Sequence, residues 1–322
     1  MVFSRALARF TPNIGIIKLG ILNPKHKKPR MYRHGSFMIG KDSHPINKLV
    51  DVNLSEPEIG YGTVLHRHCT YLWRLAATYP GEIIDAYDDD VSGAFPQLAF
   101  HPELSKANVS LHAEKMIVSV ALHFGGNFGP SSWEPISRAR CFLAQWLYRH
   151  TSYQTPLNAE SLALIIKPSG QRARDRCVIK PRLDDVTTPV TDAQGVFVPE
   201  FNMFVDDLLT ATARTKGNTD KLLASSIESV YLLIGYPGPI QDPTLPPTMA
   251  WDKMVDRPVG PMRVSLGIKF KTPRLVISIE DYKVQRFLEL LQSTWAEKRK
   301  SFTAIDAAIL IVNAVACTQV CP

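Results

Sequence analysis

Three things are missing from this sequence of 322 residues: a long apolar run, a paired set of cysteines and an internal repeat. The longest nearly uncharged apolar stretch, Ala307 to Cys317, falls well short of the roughly 18 residues a membrane-spanning helix requires. The N-terminus has no small-residue cleavage site behind an apolar core, so neither a membrane nor a secretory route is expected. The five cysteines, Cys69, Cys141, Cys177, Cys317 and Cys321, are odd in number and scattered. No CxxC pair exists to hold zinc, and no spacing resembles a disulfide framework. That usage points to a reducing, intracellular compartment, with nucleus and cytoplasm both open. Extremes of composition are missing too: 45% hydrophobic and 21% charged residues suit a folded chain and not a disordered one. At roughly 150 residues per domain, two or three packed units are expected.

What the chain does have is a modest excess of positive charge, 37 Lys and Arg against 30 Asp and Glu, and that excess is bunched. One cluster comprises Lys18, Lys25, His26, Lys27, Lys28, Arg30 and Arg33; another Arg172, Arg174, Arg176, Lys180 and Arg182; a third runs from Arg263 to Lys300. Such clusters suit a polyanion, because neutralising phosphates releases counterions, although a solvated basic face has the same composition.

Helical spacing from Ser132 predicts a helix with Ile136, Ala139, Leu143, Trp146 and Leu147 inward, Ser132 as cap and Pro135 in the first turn. A second helix is predicted from Asn218, burying Leu223, Ile227, Val230, Tyr231 and Ile234 and stopped by Gly235. The run Pro237 to Pro261 reads as a proline-rich connector, and Pro168 to Pro199 as an exposed basic insertion. RVSLGIKF and RLVISI read as two short strands, followed by a helix with Val284, Phe287, Leu288, Leu291 and Trp295 on its apolar face.

Segments 85–98 and 196–211 carry β-branched and aromatic residues around acidic ones, which predicts strands with carboxylates at their ends. In NMFVDDLLT, Asp206 and Asp207 stand side by side between apolar stretches, at the bend of a predicted hairpin. Hairpin turns usually take Asn-Gly or Asp-Gly, and adjacent carboxylates repel, so the pair asks for a compensating cation. Mg²⁺ suits it, being a hard ion held by one or two carboxylates plus substrate phosphates. By themselves, two adjacent acids are a common and mostly solvated feature. DDDVSGAFPQL supplies a second carboxylate, Asp90, with the aromatic Phe95 five residues on. Asp88 and Asp89 are expected to be solvated neighbours.

Taken together these residues resemble a reverse transcriptase, and among such enzymes those of tyrosine-recombinase (DIRS-like) retrotransposons. Asp90 to Phe95 resembles the family's Asp, small-residue turn and aromatic; Phe204, Val205, Asp206 and Asp207 resemble its later aromatic-x-Asp-Asp hairpin. Between them, Phe128, Gly129, Pro130, Ser131 and Ser132 resemble the Gly-containing turn that opens a helix beneath the incoming nucleotide. The resemblance makes Lys253, in AWDKM, the residue that assists pyrophosphate departure, places Leu266 and Gly267 in the primer-gripping hairpin, and puts Lys28 and Arg30 on the triphosphate. It covers about nine tenths of the chain, by this reckoning of motif order. The chain departs from the pattern at His34, where the family has an aspartate, and at Trp133 and Glu134, where it has a small residue and a proline.

The resemblance implies an α+β right-hand polymerase fold: fingers over 1–84 with part of 100–130, palm over 85–270 including the 168–199 insertion and the 237–261 connector, and a helical thumb over 271–322. It implies RNA-directed DNA synthesis, with Asp90, Asp206 and Asp207 holding two Mg²⁺ or Mn²⁺ ions. It also implies deoxynucleoside triphosphates and a primed RNA or DNA template as partners, with Phe95 excluding the ribose 2′-hydroxyl. No ribonuclease H, integrase or recombinase unit is expected before Pro322. The alternative is an inactive remnant that only binds nucleic acid, and an unrelated basic scaffold would leave Asp90 far from Asp206 and Asp207.

Overall fold

The fold was obtained as a computed structural model that describes residues 2–4, 18–22, 30–34, 60–99, 101, 109–112, 115–123, 128–150, 165–166, 173–181, 188–235 and 248–293. Helices and small antiparallel sheets are mixed along the chain. Strands β1 (Val2–Ser4), β2 (Lys18–Leu22) and β3 (Arg30–His34) precede helix α1 (Val64–Thr78) and the strand β4 (Ile84–Asp90). Then come β5 (Val109–His112), β6 (Lys115–Val118), α2 (Gly129–Arg149), β7 (Asn202–Phe204), β8 (Asp207–Ala213) and α3 (Thr219–Ile234). The last described elements are the short α4 (Trp251–Asp256), β9 (Met262–Ser265), β10 (Ile268–Lys271), β11 (Val276–Ile279) and α5 (Asp281–Ser293). No described helix is long and apolar enough to cross a membrane.

The central sheet has the order β4-β8-β7, with β8 between its neighbours. Helices α2 and α3 pack side by side, and α1 packs on β7 and β8, where the Tyr71 hydroxyl donates to the Ala211 carbonyl at 2.6 Å. Sandwiched this way, every residue of β4 is buried, as is β8 beyond its first residue. Asn218 caps α3, its side chain accepting from the Lys221 amide at 2.9 Å, and Gly235 ends the helix at φ 120°, a conformation costly for any residue with a Cβ.

Burying β4 buries four carboxylates: Asp85, Asp88, Asp89 and Asp90 are each 9% exposed or less. Asp88 and Asp89, expected in solvent, instead lie inside, because each meets a cation. Arg263 of β9 pairs with Asp88 and donates a further bond to its backbone carbonyl at 2.8 Å. Arg140 of α2 pairs with Asp89 at 2.5 Å, and Asp89 also accepts from the Ser226 and Tyr87 hydroxyls. Arg214 meets Asp85 through two bonds of 2.7 Å, and Lys253 meets Asp90.

Those partners explain where other sequence expectations differ from the structure. The buried face of α2 is Trp133, Ser137, Arg140, Ala144 and Leu147, while Trp146 is 42% exposed. Polar residues took the inward face because their acceptors lie beneath them. The helix also begins earlier than Ser132, at Gly129, with Pro130 in its first turn and no side-chain cap. In the segment read as an exposed insertion, the described residues Cys177, Val190 and Phe197 are buried. In the connector, Met249 and Met254 are buried, and the Ala250 amide donates to the Asp90 carbonyl at 3.1 Å. RVSLGIKF forms two strands of a β9-β10-β11 sheet and not one. Val284, Leu288 and Leu291 of α5 are 36–43% exposed, and Trp295 lies outside the described residues.

The Asp89–Arg140 pair gives a stability prediction. Arg140→Met leaves a buried carboxylate without its counter-charge and is expected to cost about 3–5 kcal/mol in urea unfolding, with much of the loss recovered in the Asp89→Asn/Arg140→Met double variant. A single-variant loss below about 1 kcal/mol would show that this pair does not secure α2 to β4.

Candidate active site

Antiparallel pairing of β4 with β8 sets Asp90 directly opposite Asp207. The β7–β8 hairpin pairs Phe204 with Asp207, leaving Val205 and Asp206 as a two-residue turn. The three sequence-predicted carboxylates thus share one end of the central sheet. The turn is strained: Val205 has φ 55°, in the left-handed region that a β-branched residue rarely enters. Two donors from α2 hold it there, the Trp133 indole N–H at 2.7 Å and the Ser137 hydroxyl at 2.9 Å, both on the Val205 carbonyl. Sequence reading treated Trp133 as a mere departure from pattern and passed over Ser137. Their spacing with Arg140, at positions i, i+4 and i+7, was a helical face disguised by polar residues.

Beside the carboxylates opens a cleft of about 480 Å³, and Asp90, Asp207, Lys253, Leu266 and Gly267 all line it. Leu266 and Gly267 form the β9–β10 turn with φ 53° and 74°, the doubly positive geometry of a tight hairpin. The Lys283 ammonium donates to the Gly267 carbonyl at 3.1 Å, and a Cβ on Gly267 would overlap that ammonium. Arg257, which nothing in the sequence marked out, and Arg263, read there only as the head of a basic cluster, line the same cleft.

Phe95 and Gly129 also come together: a Cβ on Gly129 would lie 3.2 Å from the Phe95 ring. Phe95 is 8% exposed and packs edge-on to Trp133, with centroids 6.5 Å apart. Phe128 precedes α2 and packs edge-on to His123. Glu134 accepts from the Gly60 amide at 3.3 Å and from Arg138 at 2.9 Å, so this second departure from pattern ties α2 to the residues before α1. Arg30 opens β3, which pairs antiparallel with β2; Lys28 lies outside the described residues.

No family model and no curated protein matches the chain. Among solved structures, it is similar to a foamy viral protease-reverse transcriptase in complex with double-stranded DNA, at 10% identity and TM-score 0.49, over 97% of this chain and 36% of that one. A second structure of the foamy viral protease-reverse transcriptase with double-stranded DNA matches at 10% identity and TM-score 0.47, over 98% of this chain and 44% of that one. A third, with an RNA/DNA hybrid, matches at 11% identity and TM-score 0.42, over 93% and 33%. The chain therefore spans less than half the length of the solved chains it matches. At this identity the likeness fixes neither activity nor substrate.

Burial, then the neighbouring charges of Asp206 and Asp89, push the Asp207 carboxyl up from 3.8 to about 7, with Arg257 and Arg140 pulling the other way. Among the described residues, no three acidic, histidine or cysteine side chains converge as a ready ion cage. In kind, however, the donors suit a hard divalent ion: they are carboxylates opposed across paired strands, one of them held protonated chiefly by burial. A carboxyl whose folded pKa is raised holds its proton in the folded state between about pH 4 and 7, so its contribution to stability falls as pH rises through that window. In EDTA, Asp207→Asn is therefore expected to gain thermal stability relative to the parent at about pH 8 but not at about pH 5. A difference that stays flat across that range would show that Asp207 titrates as an ordinary surface carboxyl.

Proposed function

We propose that this chain is an RNA-directed DNA polymerase unit of a retroelement, extending a primer on a nucleic-acid template with deoxynucleotides. The observation that carries the reading is the pairing of Asp90 with Asp207, with Asp206 in the adjoining turn. An unrelated scaffold gave no reason for sequence positions so far apart to meet. Asp90 and Asp206 are the principal ligands for two Mg²⁺ or Mn²⁺ ions, with Asp207 completing the set. Bound there, the ions would activate the primer oxygen and stabilise charge on the transferring phosphoryl group.

The chain's own residues do the positioning. Trp133 and Ser137 hold the Val205 carbonyl and so fix the turn that carries Asp206. Gly129 permits close approach of Phe95, whose ring edge is the element that would meet a 2′-hydroxyl and restrict the product to DNA. Lys253 and Arg257, which line the cleft, would offer positive charge to a triphosphate, and the Leu266–Gly267 turn on the same cleft would meet the primer backbone. In this reading Lys28 and Arg30 belong to fingers that close over the triphosphate, residues from 271 onward form the thumb, and an intracellular setting supplies substrate.

Primer extension on an RNA template with Mg²⁺ or Mn²⁺ tests the reading. The parent chain is expected to extend, and Asp206→Asn to lose about 100-fold or more while retaining primer–template binding. No extension by either protein, with binding intact and indifferent to EDTA, would favour a non-catalytic nucleic-acid-binding remnant. Phe95→Val is expected to admit ribonucleotides; a folded variant with unchanged sugar discrimination would remove Phe95 from the gate.

A further inference from the structure

Lys253 stands out in the cleft because the fold, and not chance rotation, brings it to Asp90. The segment before α4 is bonded to the end of β4: the Ser92 amide donates to the Thr248 carbonyl at 3.0 Å, and the Ala250 amide to the Asp90 carbonyl at 3.1 Å. Val91 and Met249 form a bridge between those bonds, and Met254 is buried on the other side of Lys253. Lys253, three residues after Ala250, therefore stays within reach of Asp90 whatever its side chain does. Its ammonium pairs with the Asp90 carboxylate, whose side chain is 13% exposed, while the lysine side chain remains 46% exposed. One helical turn on, Arg257 lines the cleft that Asp207 also lines.

Resting on the polymerase reading of this cleft, we propose that Lys253 is a tethered counter-ion that holds Asp90 when no divalent ion is bound and competes with that ion for the carboxylate. The physical reason is economy of charge. Asp90 lies on a buried strand facing another carboxylate, so without a partner it would be costly to keep ionised. A lysine suits this task better than an arginine. Its single charged head on a flexible stem can leave for solvent or a phosphate as the ion arrives, whereas a planar fork would bind bidentately and stay. Because the backbone of α4 is fixed to β4, the exchange needs only a change of side-chain rotamer.

Mn²⁺ binding to the full chain, followed by loss of the free-ion paramagnetic resonance signal, reads this competition without any catalytic assay. Lys253→Met keeps the stem and removes the charge. It is expected to bind Mn²⁺ about 5-fold tighter than the parent and, in EDTA, to melt a few degrees lower, the loss being reversed by Mn²⁺. Lys253→Arg is expected to bind no tighter than the parent and to keep its EDTA stability. Parent and Lys253→Met binding Mn²⁺ equally, with equal melting in EDTA, would overturn the counter-ion role and leave the metal site standing. Failure of every protein to bind Mn²⁺, while Lys253→Met still melts lower in EDTA, would overturn the metal-binding reading and with it the competition.

Discussion

Strand β4 buries Asp85, Asp88, Asp89 and Asp90 in seven residues, and much of the surrounding architecture is the answer to that burden. Carboxylates are almost never buried without partners, because the ionised form loses its hydration. Here the partners come from four places: Arg214 just past β8, Arg263 on β9, Arg140 on α2 and Lys253 on α4. Each pair links β4 to a different part of the chain. The strand is thus located in space by charge as well as by hydrogen bonds, and its last carboxylate is delivered to the cleft.

The four pairs are not equivalent. Asp89 and Arg140 are both shut away from solvent, with the Ser226 and Tyr87 hydroxyls completing the acid's bonds. Arg263 is deeply placed, and burial pulls its guanidinium down from its ordinary value to about 10. Lys253 alone is nearly half exposed. The pairs made by Arg140 and Arg263 are therefore dry, that of Arg214 lies between, and that of Lys253 is wet. That gradient is what separates a structural charge from one that can be exchanged for an ion or a phosphate.

Strain is distributed on the same plan. Val205 in the left-handed region costs free energy that a Gly or Asn would not, yet two donors from α2 fix its carbonyl. The consequence is a backbone turn held in one shape beside Asp207. Asp207 holds its proton to a higher pH, chiefly because it is buried and then because Asp206 and Asp89 stand near it.

Much of this was legible along the chain. Asn218 and Gly235 announced the ends of α3, β-branched and aromatic residues around the acidic clusters announced β4, β7 and β8, and the motifs around Asp90, Asp206 and Asp207 grouped carboxylates that the strand register also brings to one end of the sheet. Local rules sufficed there because caps, turns and strand periodicity depend on near neighbours. The inward face of α2 was not legible: Ser137 and Arg140 turn inward only because the Val205 carbonyl and Asp89 wait beneath them, far away in sequence. For the same reason Asp88 and Asp89 read as solvated acids, and Met249 and Met254 read as part of a connector. The sequence determined which elements form and which carboxylates could act together. Only the tertiary structure decided which charges are buried, because a charge enters the interior only where a distant residue supplies its counter-charge.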